Sequence, residues 1–154
     1  MHNDLWSFAS ALYAQPGVAP SCLEAQAQGA DVCLLLTAAW LGARKVAFSE
    51  PRFDQLNQVA QPWQAQVVAP LRSLRQQWRG PAAADAALNQ LRENLKQLEL
   101  NAERQLLERL ELIAGQWPSA GSATVEPWLR RAVPKTLWQK GDTLTPLRAA
   151  LRGL

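Results

Sequence analysis

Residues 61–80 read QPWQAQVVAPLRSLRQQWRG and place two prolines, Pro62 and Pro70, inside a segment that keeps a helical rhythm. Apolar side chains recur every three or four positions from residue 53 to residue 78, namely Phe53, Leu56, Ala60, Trp63, Val67, Leu71, Leu74 and Trp78. At 100° per residue, all of them fall within an arc of roughly 60–80° on one helix face. A loop would reset this phase, so the segment about 50–79 is predicted to be one kinked helix or two nearly collinear ones, rather than two independent elements.

A second segment, VCLLLTAAWLGA at residues 32–43, is apolar on all sides. Helices of this type are buried on every face, because a helix with one face in water carries a polar stripe there. Asp31 directly precedes the segment and is expected to cap its first turn. The segment about 31–45 is therefore predicted to be the central helix of the fold.

The longest helical pattern lies at about 82–115, after the break at Gly80 and Pro81. Its predicted core stripe consists of Leu88, Leu91, Leu95, Leu98, Ala102, Leu106, Leu110 and Ile113. The short connection predicts an antiparallel hairpin with the kinked helix. Alternation with period two is almost absent and helix-forming residues dominate. The predicted fold class is all-α: a bundle of about five to six helices with this hairpin around the central helix.

The composition changes after Trp117, where PSAGSATVEP is rich in small residues and contains two prolines. Residues 1–118 carry 10 Lys/Arg and 11 Asp/Glu, net −1, whereas residues 119–154 carry 6 and 2, net +4. We therefore predict a helical bundle domain at 1–117. A basic C-terminal extension at 118–154 would follow it, with two short helices, the second capped by Thr145.

The sequence also bears on where the chain resides. Its first residues, MHNDLWSFASALYAQPG, have no Lys or Arg ahead of the apolar positions, which does not fit a secretory signal. The longest apolar run has twelve residues, fewer than the roughly 20 that a membrane span needs. A cytoplasmic location without a membrane span is expected. Cys22 and Cys33 are expected to be buried free thiols, the alternative being a redox pair.

Four stretches together resemble a known family: LWSFASALYAQPGV, CLEAQAQGADVCLLLTAAWL, WQAQVVAPLRSLRQQW and LKQLELNAERQLLERLE. Their order and spacing are similar to those of a family of short proteobacterial proteins that form a conserved domain of unknown function. The resemblance covers roughly residues 5–117. It implies a cytoplasmic bacterial helical protein, and it brings no activity, cofactor or catalytic residue.

Few residues in the chain are suited to catalysis. His2 is the only histidine, and there is neither a Gly-rich phosphate loop nor a Cys-x-x-Cys motif. We therefore expect no enzymatic activity, no cofactor and no metal site. The best carboxylate pair is Glu99 and Glu103, one helical turn apart. They would either bind a divalent cation or share a proton, or they would pair with neighbouring donors such as the Trp63 indole or an arginine.

Two groups of basic residues are candidate interaction sites. Arg72, Arg75 and Arg79 project at 80–140° from the apolar stripe, where they would form a cationic strip or pair with Asp85 and the start of the long helix. The second group lies in the extension and joins two tryptophans to four cations: Trp128, Arg130, Arg131, Lys135, Trp138 and Lys140. Such a mixture can anchor in a protein groove, insert at a membrane surface or stack on nucleic-acid bases.

The expected function is that of a non-catalytic adaptor that engages a protein partner through its helical surface and the Trp-bearing extension. One alternative is binding of nucleic acid or another polyanion by the extension with Arg72, Arg75 and Arg79. The other is a small-molecule or metal-binding helical protein that uses Glu99 and Glu103. A pocket beside these two glutamates would favour the last alternative.

Overall fold

The computed structural model describes residues 4–139 and 143–154. Within these two ranges every regular element is helical, and the only extended pairing is an isolated bridge between Val46 and Ser119. The helices are α1 (Leu5–Tyr13), α2 (Val18–Ala27), α3 (Val32–Ala43), α4 (Glu50–Trp63), α5 (Ala69–Gln77), α6 (Arg79–Ala82), α7 (Ala86–Ala114), α8 (Glu126–Arg131), α9 (Thr136–Gln139) and α10 (Thr145–Gly153). The all-α prediction is confirmed, although the described helices are more numerous and shorter than expected.

Helix α3 lies at the centre of the molecule. Ten of its twelve residues are buried, and it packs against α1, α2, α4, α7 and α8. Its apolar sequence accounts for this position, because each face meets another helix instead of water. The Asp31 carboxylate accepts hydrogen bonds from the backbone N–H groups of Cys33 and Leu34, so the helix begins where the sequence predicts.

A π-helical segment, Gln64–Val68, connects α4 to α5 between the two prolines. The Ala69 N–H donates to the Gln64 carbonyl five residues back, so one extra residue is inserted into the helical path. The apolar stripe therefore changes phase here. Val68 is fully buried, whereas Val67, the residue predicted for this face, is half-buried. The expectation of an unbroken phase was wrong for this reason, although the path stays helical across both prolines.

Helix α7 runs antiparallel to α4 and α5. The Trp63 indole donates to the Ala102 carbonyl at 2.9 Å, while the Arg92 side chain donates to the Arg75 carbonyl at 3.0 Å. Residues later in the α4–α5 segment thus contact residues earlier in α7, as antiparallel helices do. The helix begins at Ala86, after its cap Asp85, a few residues later than predicted.

Only part of the predicted stripe of α7 is core. Leu95, Leu106 and Leu110 are buried, but Leu91 and Leu98 are 55% and 52% exposed. In the first half of α7, only a narrow stripe of side chains packs against the rest of the bundle, and the remaining faces are exposed.

Residues 118–154 pack on the bundle and do not form a separate body within the described ranges. Leu129, Leu137 and Leu147 belong to the same core cluster as α3 and α7. Helix α8 packs against α3, and α10 packs against α2 and α1. Helix α10 begins at Thr145, and the cap position is Leu144 rather than the predicted Thr145.

No helix in the described part of the chain combines the length and apolar character required to cross a bilayer.

Candidate functional site

A pocket of about 610 Å³ lies between α1 and α2 on one side and α5 and α7 on the other, with α3 as its floor. It is lined by Trp6, Ala9, Ser10, Tyr13, Ala14, Leu23, Gln26, Val32, Cys33, Leu36, Arg72, Arg75, Lys96, Glu99, Leu100, Glu103 and Leu107. Both glutamates named from the sequence are among these residues. Most of the wall is apolar, and the charged groups come from α5 and α7.

The apolar wall is formed by the faces of α1, α3 and α7 that meet around the pocket. Leu36 and Leu107 are buried, and Trp6 is partly buried against the core. The Arg104 guanidinium lies over the Trp6 ring, 4.6 Å from its centroid, which fixes the indole at the rim. Leu23 and Leu100 line the pocket but remain 57% and 47% exposed, so the pocket opens to solvent between two apolar side chains.

Glu99 is the buried centre of a charged cluster in this pocket. Its Oε2 accepts from Arg72 Nε at 3.2 Å, and its Oε1 accepts from Arg75 Nε at 2.5 Å. The Glu99 side chain is 8% exposed, whereas the two arginines keep 24% and 26%. With its amide oxygen facing the guanidinium, Gln26 also accepts from Arg72 at 2.6 Å. Arg72 and Arg75 are thus held in place by a carboxylate that they share.

Glu103 lies one turn after Glu99, in the same pocket, and is half-buried. Burial raises the pKa of its carboxyl, and the Arg72 charge opposes this rise more strongly than any other neighbour. Among the described residues its carboxylate has no hydrogen-bond donor and no ion-pair partner. Tyr13 lines the pocket opposite, and burial, followed by the nearby Cys22 and Glu103, raises the pKa of its phenol.

A second, shallower pocket of about 480 Å³ lies on the other side of Arg72. Arg72 and Gln26 line both pockets. Asp31, in this second pocket, accepts from the Gln64 amide at 2.9 Å in addition to its two backbone donors. Burial is the largest cause of the raised pKa of Asp31, and its hydrogen bonds offset part of it. The π-helical segment thus places Gln64 against the cap of the central helix.

Both cysteines are free and buried, as the sequence predicts. Burial raises the pKa of Cys22 to about 11 and that of Cys33, which lines the large pocket, well above its usual range. Both thiols therefore stay protonated at neutral pH, and neither is a reactive nucleophile.

The predicted cationic strip is not one surface. Arg72 and Arg75 pair with Glu99 inside the pocket, while Arg79 is exposed on α6. Asp85 does not pair with Arg75, because its carboxylate caps α7 by accepting from the Leu88 N–H at 3.1 Å. The one-residue insertion at Gln64–Val68 explains the difference, since it rotates the arginines toward α7. A strip that binds polyanions loses two of its three residues in this arrangement.

The basic extension also differs from the prediction. Trp128 is fully buried, donates from its indole to the Val46 carbonyl at 2.8 Å and stacks on Trp117, so the expectation that it contacts a partner was wrong. Arg131 pairs with Glu50 at 3.0 Å. Lys140 lies outside the described residues.

Three of the predicted residues in the extension do share a surface. Trp138 is 40% exposed, with the Arg130 guanidinium 5.2 Å and the Lys135 ammonium 6.0 Å from its ring centroid. Its indole donates to the Arg130 carbonyl at 2.8 Å, which fixes the ring. We call Arg130, Lys135 and Trp138 the tryptophan surface.

Tyr13, Gln26 and Asp31 were not predicted as site residues. Asp31 was recognisable only as a helix cap, and no pattern in the sequence connects Tyr13 or Gln26 with α7. Within residues 4–139 and 143–154 there is no group of three or more side chains that could hold a metal ion. Both Glu99 oxygens already accept from arginines, which leaves the predicted carboxylate pair poorly suited to a divalent cation.

A family model described as "Protein of unknown function (DUF2390)" matches residues 4–110 of this chain, about two thirds of its length, and confirms the resemblance to a family of unknown function. Comparison with curated proteins gave no match. Comparison with solved structures gave no match either.

Proposed function

We propose a non-catalytic ligand-binding function for this chain, which belongs to the DUF2390 family: it holds a small amphipathic organic molecule in the pocket between α1, α2, α5 and α7. The observation that carries the proposal is the pocket itself. Its volume of about 610 Å³ lies within the range typical of small-molecule sites, roughly 300–1,000 Å³. Its lining has the composition of such sites, which is mostly apolar with a few convergent polar groups.

The exposed rim supports the same proposal. Leu23 and Leu100 leave about half of their surface in water while facing an apolar interior. A ligand with an apolar body would cover this surface, and burial of apolar area contributes about 25 cal/mol per Å². The polar side of the ligand would meet Arg72, Glu99 and Glu103 at the other end of the pocket.

The chemistry of the lining supports binding without turnover. The Cys33 thiol is protonated. The Arg72 and Arg75 guanidinium groups are both ion-paired with Glu99, which fixes their positions. A general base at this site would have to be Glu103. The Cys33 thiol and the Tyr13 phenol also line the pocket, but burial raises the pKa of both, so both are protonated at neutral pH and neither is an activated nucleophile.

The test is a binding measurement with a pocket-blocking variant. An uncharged polarity-sensitive fluorescent probe such as Nile red should bind the wild-type protein, and small apolar amines or alcohols should displace it. Ala14→Trp places a large ring at the exposed mouth of the pocket and should abolish the displaceable binding. Ala87→Trp, at an exposed position on α7 away from the pocket, is the matched control. Equal binding by the two variants would contradict the proposal.

We propose as a second candidate that the tryptophan surface binds an acidic protein partner. The supporting observation is that Trp138 is exposed, fixed by a hydrogen bond and flanked by two cations, as anchor residues of interfaces often are. Crosslinking in cells followed by mass spectrometry should recover a partner with the wild-type chain and lose it with Trp138→Ala. Arg79→Ala, which removes an exposed cation elsewhere, should leave the crosslinks unchanged; their retention in Trp138→Ala would exclude this surface.

A further inference from the structure

We infer that the pocket selects an organic monocation, an amine with an apolar body whose ammonium group pairs with Glu103. This inference rests on the proposed ligand-binding function of the pocket and adds the chemical class of the ligand. It follows from the charges around the pocket and from their partners.

The charges near Glu103 do not balance. Five charged side chains meet around Arg72, namely the carboxylates Asp31, Glu99 and Glu103 and the guanidinium groups of Arg72 and Arg75. Their formal sum at neutral pH, with the carboxylates ionised, is −1. Lys96 lines the pocket, but its ammonium pairs with Glu93 at 3.0 Å on an exposed part of α7. One added positive charge would therefore neutralise the cluster.

The carboxylate without a paired cation or donor is that of Glu103. Glu99 accepts from both arginines, and Asp31 accepts from two backbone N–H groups and Gln64. Glu103 has no such donor among the described residues. A partly buried carboxylate without a donor is costly, because it has lost part of its hydration without gaining hydrogen bonds. A ligand ammonium supplies both the opposite charge and the hydrogen bond.

An anionic ligand fits the same pocket poorly. It would have to share the guanidinium charges of Arg72 and Arg75 with Glu99, which already accepts hydrogen bonds from both. It would also lie close to the carboxylate of Glu103, and like charges in a partly buried site repel each other strongly. The pocket wall at Leu36 and Leu107 suits an alkyl or aryl group attached to the amine.

The pH dependence of binding follows from the groups that face Glu103. These are Arg72 and Arg75 from α5, Glu99 from α7, Asp31 and Cys33 from α3 and its cap, and Tyr13 from α1. Cys33 and Tyr13 are neutral at physiological pH, and both have raised pKa values. Since protonation removes the charge that the amine needs, affinity should fall as the pH falls through the raised pKa of Glu103.

Three probes of equal length separate the possibilities: hexylammonium, hexanol and hexanoate, each titrated into the full-length protein by isothermal titration calorimetry at pH 7.5. Hexylammonium should bind at least about tenfold more tightly than hexanoate, with hexanol between them. Glu103→Gln should reduce the affinity for hexylammonium about tenfold and leave that for hexanol unchanged. Glu108→Gln, on an exposed part of the same helix, is the matched control and should bind like the wild type.

The outcomes distinguish the proposed binding function of the pocket from its proposed selectivity for cations. If all three probes bind equally, or hexanoate binds best, the pocket is a binding site but the cation inference is wrong. If none binds, both the cation inference and the proposed pocket function are wrong. If Glu103→Gln and wild type prefer hexylammonium equally, another group supplies the selectivity and Glu103 is not the partner. Circular dichroism of each variant establishes that the fold is retained.

Discussion

Replacement of Glu99 by glutamine should destabilise the protein more than any other single-charge change in the pocket. Glu99 is shared by Arg72 and Arg75, and its side chain is 8% exposed. Glu99→Gln keeps the size and one acceptor oxygen but removes the charge, so the two guanidinium groups lose the one carboxylate that is hydrogen-bonded to both. The perturbation therefore acts on three residues at once.

The size of the effect can be worked from the geometry. At an effective dielectric constant of 20, opposite charges about 4 Å apart attract by about 4 kcal/mol, and Glu99 has two such partners. Desolvation offsets much of this attraction, and breaking a buried pair typically costs about 3–5 kcal/mol. The arginines retain 24% and 26% exposure, so water replaces part of the lost interaction. We expect a loss of about 3 kcal/mol, at the lower end of that range.

Urea denaturation followed by tryptophan fluorescence measures this loss, which corresponds to about 6–12 °C in Tm for a chain of this size. The matched control is Glu93→Gln, which removes an exposed partner of Lys96 and should change the stability by less than about 0.5 kcal/mol. Arg75→Met should cost only about 1.5 kcal/mol, because Glu99 keeps Arg72. If Glu99→Gln costs no more than Glu93→Gln, the cluster does not contribute to stability and the reasoning is refuted.

Three further predictions concern the core, the pocket and the thiols. A Cβ on Gly42 would lie 2.7 Å from the Val125 Cα, so Gly42→Ala should cost about 2 kcal/mol in urea denaturation by displacing the segment before α8. Gly80→Ala, with open space around it, is the control and should not destabilise the protein. Burial raises the pKa of Glu103 in the folded state above its unfolded value, so the stability that this group contributes is fully present below the unfolded pKa and is lost as the pH rises through the folded pKa. Glu103→Gln should therefore reduce the decrease of the free energy of unfolding between pH 4 and pH 8, measured by urea titration. It should also be more stable than the wild type at pH 8. With its pKa raised to about 11, native Cys22 should react with an aromatic disulfide reagent far more slowly than in urea, and fast native labelling at pH 8 would contradict its burial.

The sequence predicted the elements that depend on local composition. The apolar segment at 32–43 is a buried helix with Asp31 at its cap, because a helix without a polar face has no stable position at a surface. These features need only the residues within one or two turns, which is why a single sequence was enough to find them.

The buried positions of α7 and the extension required information that the sequence lacks. Leu91 and Leu98 repeat like core leucines, but they are 55% and 52% exposed, because none of the helices in the described ranges covers that side of α7. Trp128 lies in a basic segment, which suggests a surface, yet its indole fills a space between Val46 and Trp117 that exists only in the folded chain. A periodic pattern shows which residues share a face, but only the tertiary packing shows whether that face is covered.

The charged pocket was not predictable because a single inserted residue determines it. With an unbroken α-helix across Pro62 and Pro70, Arg72 and Arg75 would point away from α7, and Glu99 would be buried without a partner. The π-helical segment adds about 100° to the phase of everything after Val68, and this rotation brings both arginines to Glu99. A proline has no backbone N–H, so one α-helical hydrogen bond is already missing at its position. Inserting a residue there therefore costs less free energy than in an uninterrupted helix. The two prolines thus act on the site indirectly: they allow the insertion, the insertion turns the arginines inward, and the arginines pair with Glu99, while the Glu103 carboxylate is left without a donor among the described residues.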